Sequence, residues 1–60
     1  MAKFEICKSS SLNQPFYFIL KADNGEIVAT SELYASKAGC LNGIESIKEI
    51  VEDAEIVEKE

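Results

Sequence analysis

The sequence predicts an α+β fold in which a small antiparallel β-meander of three strands packs on one α-helix. Three observations carry this prediction: strict alternation of apolar and polar residues over 3–8, a hairpin pattern over 16–30, and one apolar stripe at helical spacing over 37–52. The chain of 60 residues forms one domain, with a core over 2–53 and an acidic tail over 54–60.

The first strand is predicted over residues 3–8, where Phe4 and Ile6 lie on one side and polar residues occupy the other. Residues 9–15 combine three serines, an asparagine and a proline. Such residues favour turns, so this segment is expected to be a loop.

The second and third strands, near 16–22 and 26–31, are joined by Asn24–Gly25. An Asn-Gly pair between two runs of β-forming residues is typical of a two-residue primed turn. The turn fixes the cross-strand pairs, which are Ala22 with Ile27, Leu20 with Ala29 and Ile19 with Thr30.

This register divides the hairpin into two faces. The core face carries Phe16, Phe18, Leu20, Ala22, Ile27 and Ala29. The second face carries Tyr17, Ile19, Lys21, Val28 and Thr30. The second face is too apolar for a surface that meets only solvent, which indicates association with a partner.

The helix is predicted over residues 37–52, with Ser36 as its N-cap. Its apolar stripe consists of Cys40, Leu41, Ile44, Ile47, Ile50 and Val51. Gly39 and Gly43 stand near this stripe, and small residues at that spacing let a helix lie close to a sheet.

The tail after Asp53 is predicted to form a short C-terminal strand or a strand-like extension. Ile56 and Val57 are apolar, and acidic residues surround them, so these two side chains need a site of burial. The tail either adds an edge strand to its own sheet or crosses to a second copy, and we favour the crossing.

Composition excludes several classes of function. The net charge is −5 and there is no arginine, which argues against nucleic-acid partners and anionic membrane surfaces. No apolar run approaches the roughly 20 residues of a membrane span. With no histidine and no secretory signal, we expect a cytoplasmic protein that holds neither a metal nor a cofactor.

The residues that could carry chemistry are few. Cys40, on the helical stripe, is expected to be a core residue, and Cys7 is expected to be an outward-facing free thiol. Glu5, Glu26 and Glu32 are expected to be surface carboxylates. Without histidine no nucleophile–base pair can be assembled, so we expect no enzymatic activity.

A short chain has a marginal core and commonly gains stability by oligomerisation. We therefore expect a homodimer that acts as a protein-interaction module. Its predicted interface consists of Tyr17, Ile19, Val28, Ile56 and Val57. The alternative is a small-ligand-binding protein with a pocket at the dimer cleft near Tyr17, Lys21 and Tyr34; Tyr34 also fits the role of an aromatic residue that closes the core edge.

Three segments together resemble the YegP-like family of short bacterial domains. They are Phe4-Glu5-Ile6, the hairpin with its extension Ala29-Thr30-Ser31-Glu32-x-Tyr34, and Asn42-Gly43-Ile44-Glu45-Ser46-Ile47-Lys48. The resemblance covers about residues 2–50 and implies a small antiparallel sheet on one helix. It also implies assembly, because members carry two tandem repeats or associate as single-repeat dimers; this chain holds one repeat. The resemblance implies no established activity, and Tyr17 and Ile19 stand where members tend to carry arginine or other polar residues.

Overall fold

The computed structural model describes residues 1–59 and contains the three strands and the helix in the predicted order. The elements are β1 (Lys3–Lys8), β2 (Phe16–Lys21), β3 (Ile27–Thr30) and α1 (Lys37–Ile50), followed by a 3₁₀ turn over Val51–Asp53. The strands form one antiparallel sheet in the order β1-β2-β3, so β2 lies in the middle. The predicted α+β class is confirmed.

The loop between β1 and β2 is closed by its own serines. The backbone N–H of Ser9 donates to the Pro15 carbonyl at 2.7 Å, and the Ser9 hydroxyl donates to the Gln14 carbonyl at 2.7 Å. The Ser11 hydroxyl in turn accepts from the Gln14 N–H at 3.1 Å. These bonds satisfy polar backbone groups that the ladder leaves free, and they set the register in which Ile6 lies opposite Phe18.

The turn between β2 and β3 has three residues, Asp23–Gly25, and the prediction of a two-residue primed turn is wrong. Ala22 N–H donates to the Glu26 carbonyl at 2.9 Å, and Gly25 N–H donates to the Ala22 carbonyl at 3.0 Å. Among the described residues only Gly25 has a positive φ, +88°. A tight turn completed by one left-handed residue needs a single glycine, whereas a primed turn would also force Asn24 to positive φ.

A β-bulge accompanies this longer turn. Leu20 faces Ala29 and Ile19 faces Thr30 as predicted, but Lys21 faces Ile27, so Val28 is an extra residue on β3. The third loop residue shifts the pairs nearest the turn, and the bulge restores the predicted register beyond it. Ile27 therefore shares a face with Lys21, and its predicted place in the core is wrong.

The helix begins as predicted, with the Ser36 hydroxyl accepting from the Gly39 N–H at 3.0 Å. Cys40 and Ile44 meet Phe18 at the centre of the core. The residues packed around this centre are Phe4, Ile6, Phe16, Tyr34 and Ile47. The helix contacts β1 and β2 but not β3. The rest of the predicted stripe, Leu41, Ile50 and Val51, is exposed because the helix crosses only two of the three strands.

Residues 54–59 form no strand, so the predicted short C-terminal strand is wrong for the chain on its own. Both Ile56 and Val57 are exposed. The chain leaves the 3₁₀ turn at Ala54 in an extended conformation. Acidic neighbours keep this segment compatible with water despite its two apolar residues.

Replacing Gly25 tests the three-residue turn. We expect Gly25→Val to lower the free energy of unfolding by about 1–2 kcal/mol, because a β-branched residue resists the left-handed region. Gly25→Asn is the matched control, since asparagine tolerates positive φ. Urea denaturation followed by circular dichroism measures both. Equal stability of the valine and asparagine variants would contradict the observed turn.

Candidate functional site

The sheet has one face under the helix and one face turned away from it, which we call the outer sheet face. Its residues, assigned from the strand register, are Lys3, Glu5, Cys7, Tyr17, Ile19, Lys21, Ile27 and Thr30. This face contains two of the predicted interface residues, Tyr17 and Ile19, and it is the first candidate for a contact surface.

Ile19 lies at the centre of the outer sheet face but is only 8% exposed in the single chain. Its direct cross-strand partners are Glu5 on β1 and Thr30 on β3. Tyr17 and Lys21 flank it along β2. Long neighbouring side chains thus close around a small apolar centre, and the expectation that Ile19 is an exposed apolar residue is wrong.

A charged cluster borders this centre. Glu5 lies 3.3 Å from Lys21 Nζ and 3.6 Å from Lys3 Nζ, so one carboxylate joins two lysines across strands β1 and β2. All three side chains retain contact with solvent, and exposed pairs of this kind contribute little stability.

Strand β3 is the most exposed part of the sheet. Ile27 and Val28 are 59% and 62% exposed, and all four residues of the strand are exposed. The strand pairs with β2 on one side only, and the helix does not reach it. Val28 therefore keeps the exposure that the sequence predicted, on an edge where backbone groups also lack a strand partner within residues 1–59.

Tyr34 holds the segment between β3 and the helix against the core. Its backbone exchanges two hydrogen bonds with Phe16, at 2.7 and 3.2 Å. Its ring stacks on Phe18 with centroids 6.0 Å apart and an angle of 20° between the planes. On its other side lies the helix at Gly43, where a methyl group would run into the tyrosine hydroxyl oxygen and lie 2.8 Å from Cζ.

The structure does not bring together the three residues of the alternative ligand site within one chain. Tyr17 and Lys21 lie on the outer sheet face, whereas Tyr34 packs on the core side against Phe18. The ring of Tyr34 is engaged by the helix, which agrees with an aromatic residue that closes the core edge.

Sequence reasoning missed the role of Ser31. Its hydroxyl accepts the backbone N–H of Phe18 at 2.8 Å and donates to the Glu32 carbonyl at 2.7 Å. The hydroxyl thus satisfies a donor of the central strand where β3 has ended, and the chain turns from the sheet edge towards Tyr34. A serine that follows a strand is the only sequence signal, and it is too common to identify such a role.

The two cysteines are free and differ in environment. Cys40 is fully buried in the core, and burial raises the pKa of its thiol, with a further rise from the charge of Cys7. Cys7 is half-buried, and its Sγ lies 3.8 Å from the Glu5 carbonyl oxygen. Within residues 1–59 no three side chains of histidine, cysteine, aspartate or glutamate are grouped so that they could hold a metal ion.

No helix in the described part of the chain combines the length and the apolar character needed to cross a membrane. The fold and its surfaces define a small α+β domain with one sheet face covered by a helix and one sheet edge uncovered.

Comparison with known proteins assigns this domain to a family. Residues 12–58 match the family described as "Domain of unknown function (DUF1508)". A UPF0339 protein of Treponema denticola is 55% identical over 56 residues, and the match covers 93% of each chain. The UPF0339 protein YegP of Escherichia coli is 58% identical over 45 residues, which are 75% of this chain but 39% of YegP.

The fold agrees with a solved structure as well. A protein from Haloferax volcanii, determined by NMR in solution, superimposes with a TM-score of 0.82 at 37% identity, covering 97% of this chain and 95% of that one. The chain belongs to the DUF1508 family, and the resemblance to YegP-like proteins is confirmed. It spans about two fifths of the length of YegP and nearly the whole of the Treponema protein.

The contact between Tyr34 and Gly43 can be tested with alanine. Alanine favours helix over glycine by about 1 kcal/mol, so a free surface would make Gly43→Ala stabilising. We expect it to be destabilising, because the added methyl group displaces the tyrosine ring from Phe18. Gly39→Ala is the matched control, since its methyl group would lie 3.8 Å from the same ring and 3.2 Å from Ser36 Oγ. A higher melting temperature for Gly43→Ala than for Gly39→Ala would contradict the contact.

Thiol alkylation distinguishes the two cysteines. With iodoacetamide near pH 8 in native buffer, we expect Cys7 to be modified and Cys40 to be protected, because burial and a raised pKa leave little thiolate at Cys40. Peptide mass spectrometry assigns the sites, and both cysteines should react once urea unfolds the chain. Simultaneous modification in native buffer would show that the core around Cys40 opens readily.

Proposed function

We propose that this chain is a non-enzymatic homodimerising domain that serves as a protein-interaction module. The contact surface comprises the exposed edge at β3, the adjoining outer sheet face at Tyr17 and over the enclosed Ile19, and the tail with Ile56 and Val57. Val28, on the edge, lies at its centre. The observation that carries the proposal is the uncovered apolar edge of the sheet.

The edge has both features that a pairing strand offers. The backbone groups of β3 that do not bond β2 lie on the open edge, and two of its four side chains, Ile27 and Val28, are large, apolar and mostly exposed. Natural proteins usually protect such an edge with charge, proline or a covering element. Here β3 has no charged residue and no proline, and the helix lies elsewhere. A second chain supplies the missing cover.

The exposed area supports the same conclusion. The chain exposes 5031 Å² at a mass of 6.6 kDa. Compact monomers of this mass expose about 3,900 Å² on the usual scaling of surface with mass. The difference of about 1,100 Å² exceeds the roughly 800 Å² that each partner buries in an interface of standard size. Part of it belongs to the extended tail, which is itself a proposed contact.

A second copy of this chain is the partner that the comparisons support. The relative from Treponema denticola has about the length of this chain, whereas the match covers only 39% of YegP. The longer relative therefore has room for a second unit. Two units in one polypeptide would lie near each other by covalent connection. Two copies of the present chain would reach the same arrangement by association, since the two copies carry the same uncovered edge.

The tail is suited to cross between copies. Within residues 1–59, Ile56 is fully exposed and Val57 is 71% exposed. The acidic residues beside them would meet no like charge on β3, which is uncharged. Adding this segment to the edge of the partner would bury the two apolar side chains and pair backbone groups that otherwise face solvent.

Sedimentation equilibrium tests the edge. Val28→Lys places a charge on the proposed contact, and we expect the dimer dissociation constant to rise at least tenfold because that charge loses water on association. Leu12→Lys is the matched control: it makes the same change in charge at a loop residue that is 98% exposed and distant from β3 in the chain. Circular dichroism confirms that both variants are folded.

Two results would contradict the edge as the contact. One is a wild-type chain that sediments at its monomer mass of 6.6 kDa up to millimolar concentration. The other is a control variant that dissociates as strongly as Val28→Lys, which would mean that added charge alone weakens association.

Deletion of residues 54–60 tests the tail. We expect the monomer–dimer equilibrium to shift towards monomer while the hairpin and helix stay folded, because none of the core residues lies in the tail. Replacing Glu55 and Glu58 by glutamine in the full chain is the control, since it removes charge and keeps the apolar residues. If the truncated chain dimerises as tightly as the full chain, the tail has no role and the interface lies on the sheet alone.

A further inference from the structure

A hollow of about 350 Å³ opens where the end of β1, the start of β2 and the start of α1 meet. It is lined by Ile6, Cys7, Lys8, Phe16 and Lys37. Its volume falls at the lower end of the range of about 300–1,000 Å³ found for small-molecule sites. It contains none of the residues of the proposed dimer contact, so ligand binding in the hollow does not depend on dimerisation.

The charged residues that line this hollow are both lysines. Lys3, Lys21 and Lys48 each form a salt bridge, whereas among residues 1–59 neither Lys8 nor Lys37 does. The five lining residues include no carboxylate. In a chain of net charge −5, two lysines that form no salt bridge within residues 1–59 thus face the same concave surface. A ligand with a negative group would meet both of them.

The rest of the lining is apolar and in part aromatic. Phe16 and Ile6 are half-buried members of the core edge, and the Lys8 ammonium lies 4.9 Å from the centroid of the Phe16 ring. This cation–π contact holds the ammonium at the rim beside an aromatic surface. The first turn of α1 has no acidic residue that would oppose an anion here.

We propose that this hollow is a binding site for a small organic anion with a flat apolar body, of the class of aromatic carboxylates. The body lies against Phe16 and Ile6, and the carboxylate lies between the ammonium groups of Lys8 and Lys37. Inorganic phosphate would meet the lysines but would leave the apolar lining unused. A neutral aromatic compound would use the lining but would leave two ammonium groups without a partner.

Titration with 2-naphthoate tests the site, with amide chemical shifts of the ¹⁵N-labelled protein as the readout. We expect saturable shifts confined to the neighbourhoods of Cys7, Lys8, Phe16 and Lys37. A ligand of this size in an open site binds with a dissociation constant of about 1 mM.

Matched variants separate recognition from general charge. We expect the double variant Lys8→Gln/Lys37→Gln to weaken binding at least fivefold. Lys48→Gln/Lys59→Gln changes the net charge by the same amount outside the hollow and should bind as the wild type does. The neutral analogue 2-naphthalenemethanol and inorganic phosphate should each bind at least fivefold more weakly than 2-naphthoate.

Three results would overturn the proposal. Shifts centred on β3 would mean that the naphthyl ring adheres to the exposed edge. Equal affinity for the neutral analogue would mean that the lysines do not recognise the anion. Equal affinity for phosphate would mean that the apolar lining contributes nothing.

Discussion

The rest of this small fold depends on one contact, in which the Tyr34 ring packs between the sheet and the helix. The backbone of Tyr34 is bonded to Phe16 at the start of the central strand, and its ring stacks on Phe18. The helix can approach the ring only because residue 43 is glycine. One side chain therefore sets the height of the helix above the sheet and the path of the chain that leads into it. With a core centred on Phe18, Cys40 and Ile44, few other contacts could replace it.

Sequence patterns predicted the elements of the fold because their signals are local. Alternation over 3–8, the Asn24–Gly25 turn signal and the Ser36 cap each act within a few residues, and the strands and the helix lie where these signals place them. The details of the hairpin were not predictable in the same way. A turn of three residues and a bulge at Val28 compensate each other, so the outer part of the hairpin pairs as the simpler turn would require. Only the residues nearest the turn, above all Ile27, reveal the difference.

The surface of the molecule was harder to predict because it depends on where the helix lies. Ile19 lies on the predicted face, yet neighbouring side chains enclose it, whereas Leu41 and Ile50 belong to the predicted stripe and remain exposed. The stripe is longer than the part of the sheet that the helix crosses. The hollow beside Lys8 and Lys37 gave no signal, since its lining comes from three elements that are separated in the chain. These properties arise from tertiary packing, which local patterns in the amino-acid sequence do not predict.

The order of the strands also determines how quickly this chain can leave the unfolded state. Every strand pairs with its neighbour in sequence, and both connections are short and close on hydrogen bonds of their own. Loops of about ten residues close within about 10–100 ns, and β-hairpins form within about 1–10 μs. Pairing can spread from each turn along the strands before the helix docks. Rapid closure shortens the time during which the apolar strand segments of newly made chains are open to non-native aggregation.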